Sequence, residues 1–227
     1  MGHIEEFRPG FLMYVGNMSG GKTAKMISDL QRAEIAGRRV QAFRLAWDNR
    51  YEEGLIEANN GQMSYPAEVV PGYGGLVSRL KKDTEVLAID ELQFWDDRMI
   101  DFIKNKRDHL RIIGTGLQHD FRGDEFALRS QEDINVDSEY HIGNLMALTT
   151  IGVKTYWPLC THEEDGEFCS RPAPYVQRYN ADRTLSLVSE PTLAVGFPVK
   201  TLDGAEKHFE NGHCAYMVRC PEHYIKP

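Results

Sequence analysis

Eight consecutive residues, Gly16-Asn17-Met18-Ser19-Gly20-Gly21-Lys22-Thr23, place a glycine, four variable positions and then Gly-Lys-Thr in the order G-x-x-x-x-G-K-[ST]. This is the spacing with which a backbone loop grips phosphate. The glycines let successive N–H groups converge on phosphate oxygens, Lys22 brings a cation to the β and γ phosphates, and Thr23 offers a hydroxyl to Mg²⁺. A nucleoside triphosphate is the ligand implied. Farther along, Asp90-Glu91 closes the apolar run Val86-Leu87-Ala88-Ile89. Adjacent carboxylates at a strand end can divide the work, one orienting the metal and the other accepting a proton from an attacking hydroxyl. Two solvated acids opening a helix is the bland alternative. The cysteines, Cys160, Cys169, Cys214 and Cys220, all lie after residue 159. In a reducing compartment such clustering favours a metal over disulfides, and Cys220-x-x-His223 makes one good pair of ligands for four-coordinate zinc.

These groups need elements to position them. Phe11 to Val15 reads as a short buried strand feeding the glycine loop. Lys22 to Ala36 reads as a helix with Ile27, Leu30 and Ala33 on one side and Gly37 as its stop. The helix adds its positive N-terminal dipole to the phosphate site. Arg39 to Arg44, Val86 to Ile89 and Arg111 to Thr115 read as further strands, and Trp95 to Asn105 and Tyr140 to Leu148 as helices. The stretch from Trp47 through Gly61 reads as a polar, mobile connection. Strands alternating with helices from residue 11 to about 150 predict a doubly wound α/β core with a parallel sheet. From Trp157 the chain turns rich in Cys, His, Pro and turn residues, with short strands such as Leu185 to Val188. The division expected is a P-loop domain over 1–152 and a smaller zinc-binding domain over 153–227.

Composition narrows the class. At 227 residues the chain can bury a substantial core, and its net charge of −8 argues against a general nucleic-acid or membrane surface. No run approaches the ~20 apolar residues of a membrane span, and the start lacks the regions of a signal peptide. A cytoplasmic location is therefore expected.

With these residues in place, the chain resembles the cellular, or type II, thymidine kinases. Asp90-Glu91-Leu92-Gln93-Phe94 is similar to the family's D-E-x-Q-F, and the phosphate loop carries Met18 where the family has methionine. Asp48-x-Arg50-Tyr51 resembles its D-x-R-Y, and Gly116 to Phe126, with Leu117, Phe121 and Phe126, resembles its G-L-x-x-D-F-R-G-x-x-F stretch. The resemblance covers nearly the whole chain. It implies an ATP-dependent transfer in which Glu91 is the general base on the nucleoside 5′-hydroxyl, Lys22 stabilises the transferring phosphoryl group, and Thr23 with Asp90 holds Mg²⁺. Arg50 would add positive charge, with Asp48 and Gln93 in the nucleotide and metal set beside Gly16 to Thr23. Met18, Phe94, Leu117, Phe121, Phe126, Val176, Gly212 and Tyr216 would line the nucleoside site.

For zinc, the resemblance adds Cys160 and Cys169 to Cys220 and His223. The family usually has C-x-x-C where this chain has C-x8-C, so His162 remains an alternative to Cys160, and Cys214 is unassigned. Gln177-Arg178 and Gly212-x-x-x-Tyr216-x-x-x-Cys220 resemble the ends of a loop that lassoes the base. The connection from Arg178 to Gly212 is longer than usual, with Val176 where a threonine is common. Thymidine, with deoxyuridine second, is the substrate implied, and a homotetramer, or else a dimer, the assembly. Nucleic acid and membrane are not expected partners. Two other classes stay open: a P-loop ATPase with a zinc ribbon acting on nucleic acid, and a non-catalytic nucleotide-binding regulator.

Overall fold

The computed structural model describes residues 6–48, 54–58, 62–133, 135–190, 196–198 and 205–227. In chain order the elements are β1 (Gly10–Gly16), α1 (Lys22–Ile35), β2 (Val40–Leu45), β3 (Leu55–Glu57), β4 (Ser64–Pro66), β5 (Glu68–Val70), α2 (Tyr73–Arg79), β6 (Val86–Ile89), α3 (Arg98–Lys106), β7 (Arg111–Leu117), β8 (Ala127–Arg129), β9 (Asp137–His141), α4 (Ile142–Met146) and β10 (Gly152–Tyr156). There follow β11 (Glu163–Glu164), β12 (Glu167–Phe168), β13 (Tyr175–Tyr179), β14 (Gly196–Pro198), α5 (Glu206–Glu210) and β15 (Cys214–Arg219). They fall into two compact units. The first holds residues 1–15, 21–117 and 126–155, and the second 16–20, 118–125 and 156–227.

Among the described residues the main sheet has six strands in the order β10-β1-β7-β6-β2-β5, and the pairs β7–β6, β6–β2 and β2–β5 are parallel. The α/β expectation is met. β1 is buried along its whole length, as are β6 and β7, which is what helices covering both faces of a parallel sheet require. On α1, Met26, Ile27, Leu30 and Ala33 are fully buried. Gly37, at φ 74°, ends the helix: its N–H donates to Glu34 O at 2.8 Å and that of Arg38 to Ala33 O at 2.9 Å. This paired closure satisfies carbonyls the helix cannot, and it needs a left-handed residue at that position. No described helix is long and apolar enough to cross a membrane.

Several boundaries differ from expectation, each for a local reason. The helix expected from Trp95 begins at Arg98, because Trp95 is extended, its indole donates to Asp90 O at 3.0 Å, and Asp96 bridges to Arg129. The helix expected from Tyr140 begins at Ile142. His141 is still extended in β9, and the Asn144 side chain accepts its N–H at 2.8 Å, capping the turn. The described part of the polar stretch before Gly61 contains β3, which pairs antiparallel with β4 and buries Ile56. Leu185 to Val188 is not a strand, since only an isolated bridge joins Leu185 to Tyr179.

In the second unit β13 and β15 pair antiparallel, with Val176 opposite Val218 and Arg178 opposite Tyr216, and β14 runs parallel to β15. The two ends of the expected lasso are thus strand neighbours.

Candidate functional site

In the first unit the acid pair stands at the C-terminal end of β6, the end of a parallel sheet where ligands bind. Asp90 is buried, with its N–H donating to Phe43 O at 3.1 Å. Glu91 adopts φ 50°, ψ 55°, a left-handed conformation that a residue with a Cβ takes only at a cost of about 1–2 kcal/mol. The fully buried Gln93 donates from Nε2 to Glu91 Oε2 at 2.7 Å and accepts the Leu117 N–H at 3.0 Å. Thr115 donates its hydroxyl to Asp90 Oδ1 and accepts the Glu91 N–H at 2.9 Å. Asp48, Asp90, Glu91 and Phe94 line one small cleft together with Arg44, Leu45 and Trp47. Phe94 meets Trp47 and Phe126 edge to face, with ring centroids 4.8 and 5.4 Å apart. Lys22 is buried as the first residue of α1, followed by half-buried Thr23. Arg50, with Asn49 and Tyr51, lies outside the described residues.

Residues 16–20 of the glycine loop belong to the second unit. A Cβ on Gly16, at φ 135°, would stand 2.0 Å from the Tyr156 carbonyl oxygen, and one on Gly20 would stand 2.5 Å from it. Only glycine lets the loop pass this close to backbone. Asn17 is buried, donating to Ala173 O at 3.2 Å and accepting the Met18 N–H at 2.7 Å. Met18 packs with Tyr216 and Cys169 against a buried cluster of Phe121, Cys160, Ala173, Val176, Val218 and Cys220. Four residues expected to line the nucleoside site, Met18, Phe121, Val176 and Tyr216, are therefore neighbours in one unit. Phe94, Leu117 and Phe126 lie in the other, and Gly212 sits in the turn after α5, at φ 74°.

Sequence reasoning missed how Phe121 is held. The Arg178 guanidinium lies 3.7 Å from the ring centroid, inside the unit and almost wholly buried. Its charge is met by Glu190 at 2.9 Å, with Nε donating to Ser186 at 2.7 Å, and Glu190 also accepts from Asn180 at 2.9 Å and from the Leu187 N–H at 3.1 Å. The first residues of the long connection thus fold back to neutralise a buried cation. Tyr224 donates to Phe121 O at 2.8 Å from another side. Cation–π pairs contribute about 2 kcal/mol when desolvated, and breaking such a buried ion pair costs more than the pair contributes.

The metal candidates also gather. The ligand atoms of Cys160, Cys169, Cys220 and His223 all lie within 4.8 Å of one another. Tetrahedral zinc with its usual bond lengths places two sulfurs about 3.8 Å apart and sulfur and nitrogen about 3.5 Å apart. The structure has Cys169 Sγ to Cys220 Sγ at 3.9 Å, and His223 Nδ1 at 3.6 Å from Cys160 Sγ and 3.4 Å from Cys220 Sγ. The donor set and its edges fit structural zinc. Arg171 donates to Cys169 Sγ at 3.0 Å and holds that thiol below its ordinary range, whereas burial pushes the Cys160 thiol up. Burial also lowers His223, favouring the neutral imidazole that binds metals.

Cys160 rather than His162 stands in this four-atom set, and the His162 ring stacks on His223 with centroids 3.9 Å apart. The wide C-x8-C spacing is closed by a hairpin: β11 and β12 pair across Asp165-Gly166, both left-handed, and Cys169 N–H returns to His162 O at 2.8 Å. Asp-Gly is the standard signal for such a turn and was legible in the sequence. Cys214 stands outside the set, with its Sγ 3.9 Å from Asn180 Oδ1.

The chain matches the family described as thymidine kinase over residues 10–134, which include the glycine loop, the acid pair and the stretch from Gly116 to Phe126. A relative from Thermococcus kodakarensis, named thymidine kinase, is 31% identical over 225 residues, covering 96% of this chain and 95% of that protein.

Proposed function

This chain belongs to the thymidine kinase family, and from that premise we propose that it transfers the γ-phosphoryl group of ATP to the 5′-hydroxyl of thymidine, with deoxyuridine as a second substrate. The observation that carries the reading is the carboxylate pair at the end of β6, with Glu91 fixed by Gln93 and Asp90 by Thr115. Glu91 accepts the proton as the 5′-oxygen attacks phosphorus, and the bond from phosphorus to the ADP oxygen breaks. Lys22 stabilises charge on the transferring group, and Arg50 adds to it. Thr23 and Asp90 supply hard oxygen ligands of the kind Mg²⁺ takes beside substrate phosphates. Bound there, the metal would neutralise phosphate charge. Catalysis of this kind rests on positioning and electrostatics rather than on covalent chemistry. Lys22→Ala is expected to weaken both ATP binding and turnover, since the charge acts on phosphates in both states, and a change in neither would remove Lys22 from this role.

Met18, Val176 and Tyr216, grouped about Phe121, are proposed to wall the base, with backbone groups of the lasso reading its edge. Backbone polarity is fixed. Thymine presents acceptor, donor and acceptor, whereas cytosine reverses two of the three and would leave buried groups unpaired at about 1–3 kcal/mol each. Deoxycytidine should therefore fall below thymidine in kcat/KM by roughly 10² to 10⁴. One buried methyl contributes only about 1 kcal/mol, so deoxyuridine should remain a substrate. Steady-state kinetics with the three nucleosides tests this, and equal kcat/KM for thymidine and deoxycytidine would contradict it. A structural zinc, a homotetrameric assembly and a cytoplasmic location complete the proposal, the last two supported by family resemblance and composition.

A further inference from the structure

Glu91 is held at two points by groups whose hydrogen-bonding directions are unambiguous. A backbone N–H can only donate, so the Gln93 atom 3.0 Å from Leu117 N is the carbonyl oxygen, and the Gln93 amide nitrogen must face Glu91 Oε2 at 2.7 Å. The same logic fixes Thr115. Its oxygen accepts the Glu91 N–H at 2.9 Å, so its one proton is directed to Asp90 Oδ1. Both side chains are fully buried. The Gln93 bond fixes Oε2 of the Glu91 carboxylate, and the Thr115 bond holds the backbone of Glu91 in the left-handed conformation, φ 50° and ψ 55°, from which that carboxylate is presented. Thr115 also joins the two acids, because one hydroxyl serves both.

We propose that Gln93 and Thr115 are positioning residues that fix the Glu91 carboxylate for proton acceptance, with Thr115 also holding the Asp90 carboxylate beside it. This rests on Glu91 being the base. It gives Gln93 a role on the protein's own acid rather than on the nucleotide. It also gives Thr115, a fully buried polar residue of β7, a place in the site.

The test is a double-mutant cycle on the full chain purified with its metal. Gln93→Met keeps volume and removes the amide, Thr115→Val is isosteric and removes the hydroxyl, and Thr115→Ser keeps it. Each is made alone and combined with Glu91→Gln, and kcat and both KM values are measured with thermal melting as the check on folding. Misplacing a base by a fraction of an ångström is expected to lower kcat on the order of tenfold or more, with KM for thymidine and ATP within about twofold. Thr115→Ser should stay within about threefold of the parent in kcat. In the Glu91→Gln background, Gln93→Met should have almost no further effect, because the group it positions is gone, and Thr115→Val should keep only the smaller part of its loss that acts through Asp90.

Equal losses in both backgrounds would overturn the proposal and mark general damage, as would single variants that leave kcat unchanged. Gln93→Met deprives the Leu117 N–H of its acceptor, and should it fail to fold, Thr115→Val carries the same comparison. If Glu91→Gln alone keeps its turnover, the reading of Glu91 as the base is what fails, and the proposal falls with it.

Discussion

Glu91→Gln is expected to bind ATP and thymidine nearly as the parent does and to lose turnover by on the order of 100-fold or more. The amide keeps the size and polarity of the carboxylate but cannot accept the proton of the attacking hydroxyl. Binding survives because the residues proposed to grip the nucleotide and the base are elsewhere: Lys22 and Thr23 on α1, and the group around Phe121 in the second unit. Calorimetric titration beside steady-state kinetics separates the two effects. A near-parental kcat would remove Glu91 from the mechanism, and a large loss of affinity would make it a binding group instead.

The second large effect concerns the metal. One zinc per chain is expected, held by Cys160, Cys169, Cys220 and His223, whose ligand atoms already lie within 4.8 Å of one another. Four protein ligands leave no open position for a reactive water, so the role is structural. Structural zinc contributes an apparent ~10–16 kcal/mol in small metal-dependent folds, comparable with the ~5–15 kcal/mol that holds a whole domain folded. Chelation, or the double variant Cys169→Ser/Cys220→Ser, should therefore loosen the second unit, where Cys160 and Cys220 belong to the same buried cluster as Phe121 and Val176. Elemental analysis with limited proteolysis reads both consequences. Protein purified without chelator but free of zinc, or full zinc content in the double variant, would contradict the assignment.

What the sequence made legible was what is local in it. The glycine loop, the helix from Lys22 closed by Gly37 and the acids ending β6 each sit within one short stretch, so residue type and spacing sufficed. The supports of the acid pair were not legible. Thr115 meets Asp90 and Glu91 because β6 and β7 pair with Ile89 opposite Gly114, a register that no spacing along the chain reveals. In the same way the stacking of Arg178 on Phe121 joins residues far apart in sequence, and Glu190 enters only because the long connection folds back. The start of the helix at Arg98 rather than Trp95 was decided by a tertiary hydrogen bond from the Trp95 indole that overrode local propensity. Arg50, named from its motif, lies outside the described residues.

The central claim is that phosphate moves from ATP to the 5′-oxygen of thymidine. Incubating the full chain with γ-labelled ATP, Mg²⁺ and thymidine, and resolving the products against authentic thymidine 5′- and 3′-monophosphates, tests it most directly. The expected result is label in thymidine 5′-monophosphate, formed in equal amount with ADP and absent when thymidine is omitted. Label released only as inorganic phosphate, whether or not nucleic acid stimulates it, would contradict the account, and so would ATP binding with no turnover on any nucleoside.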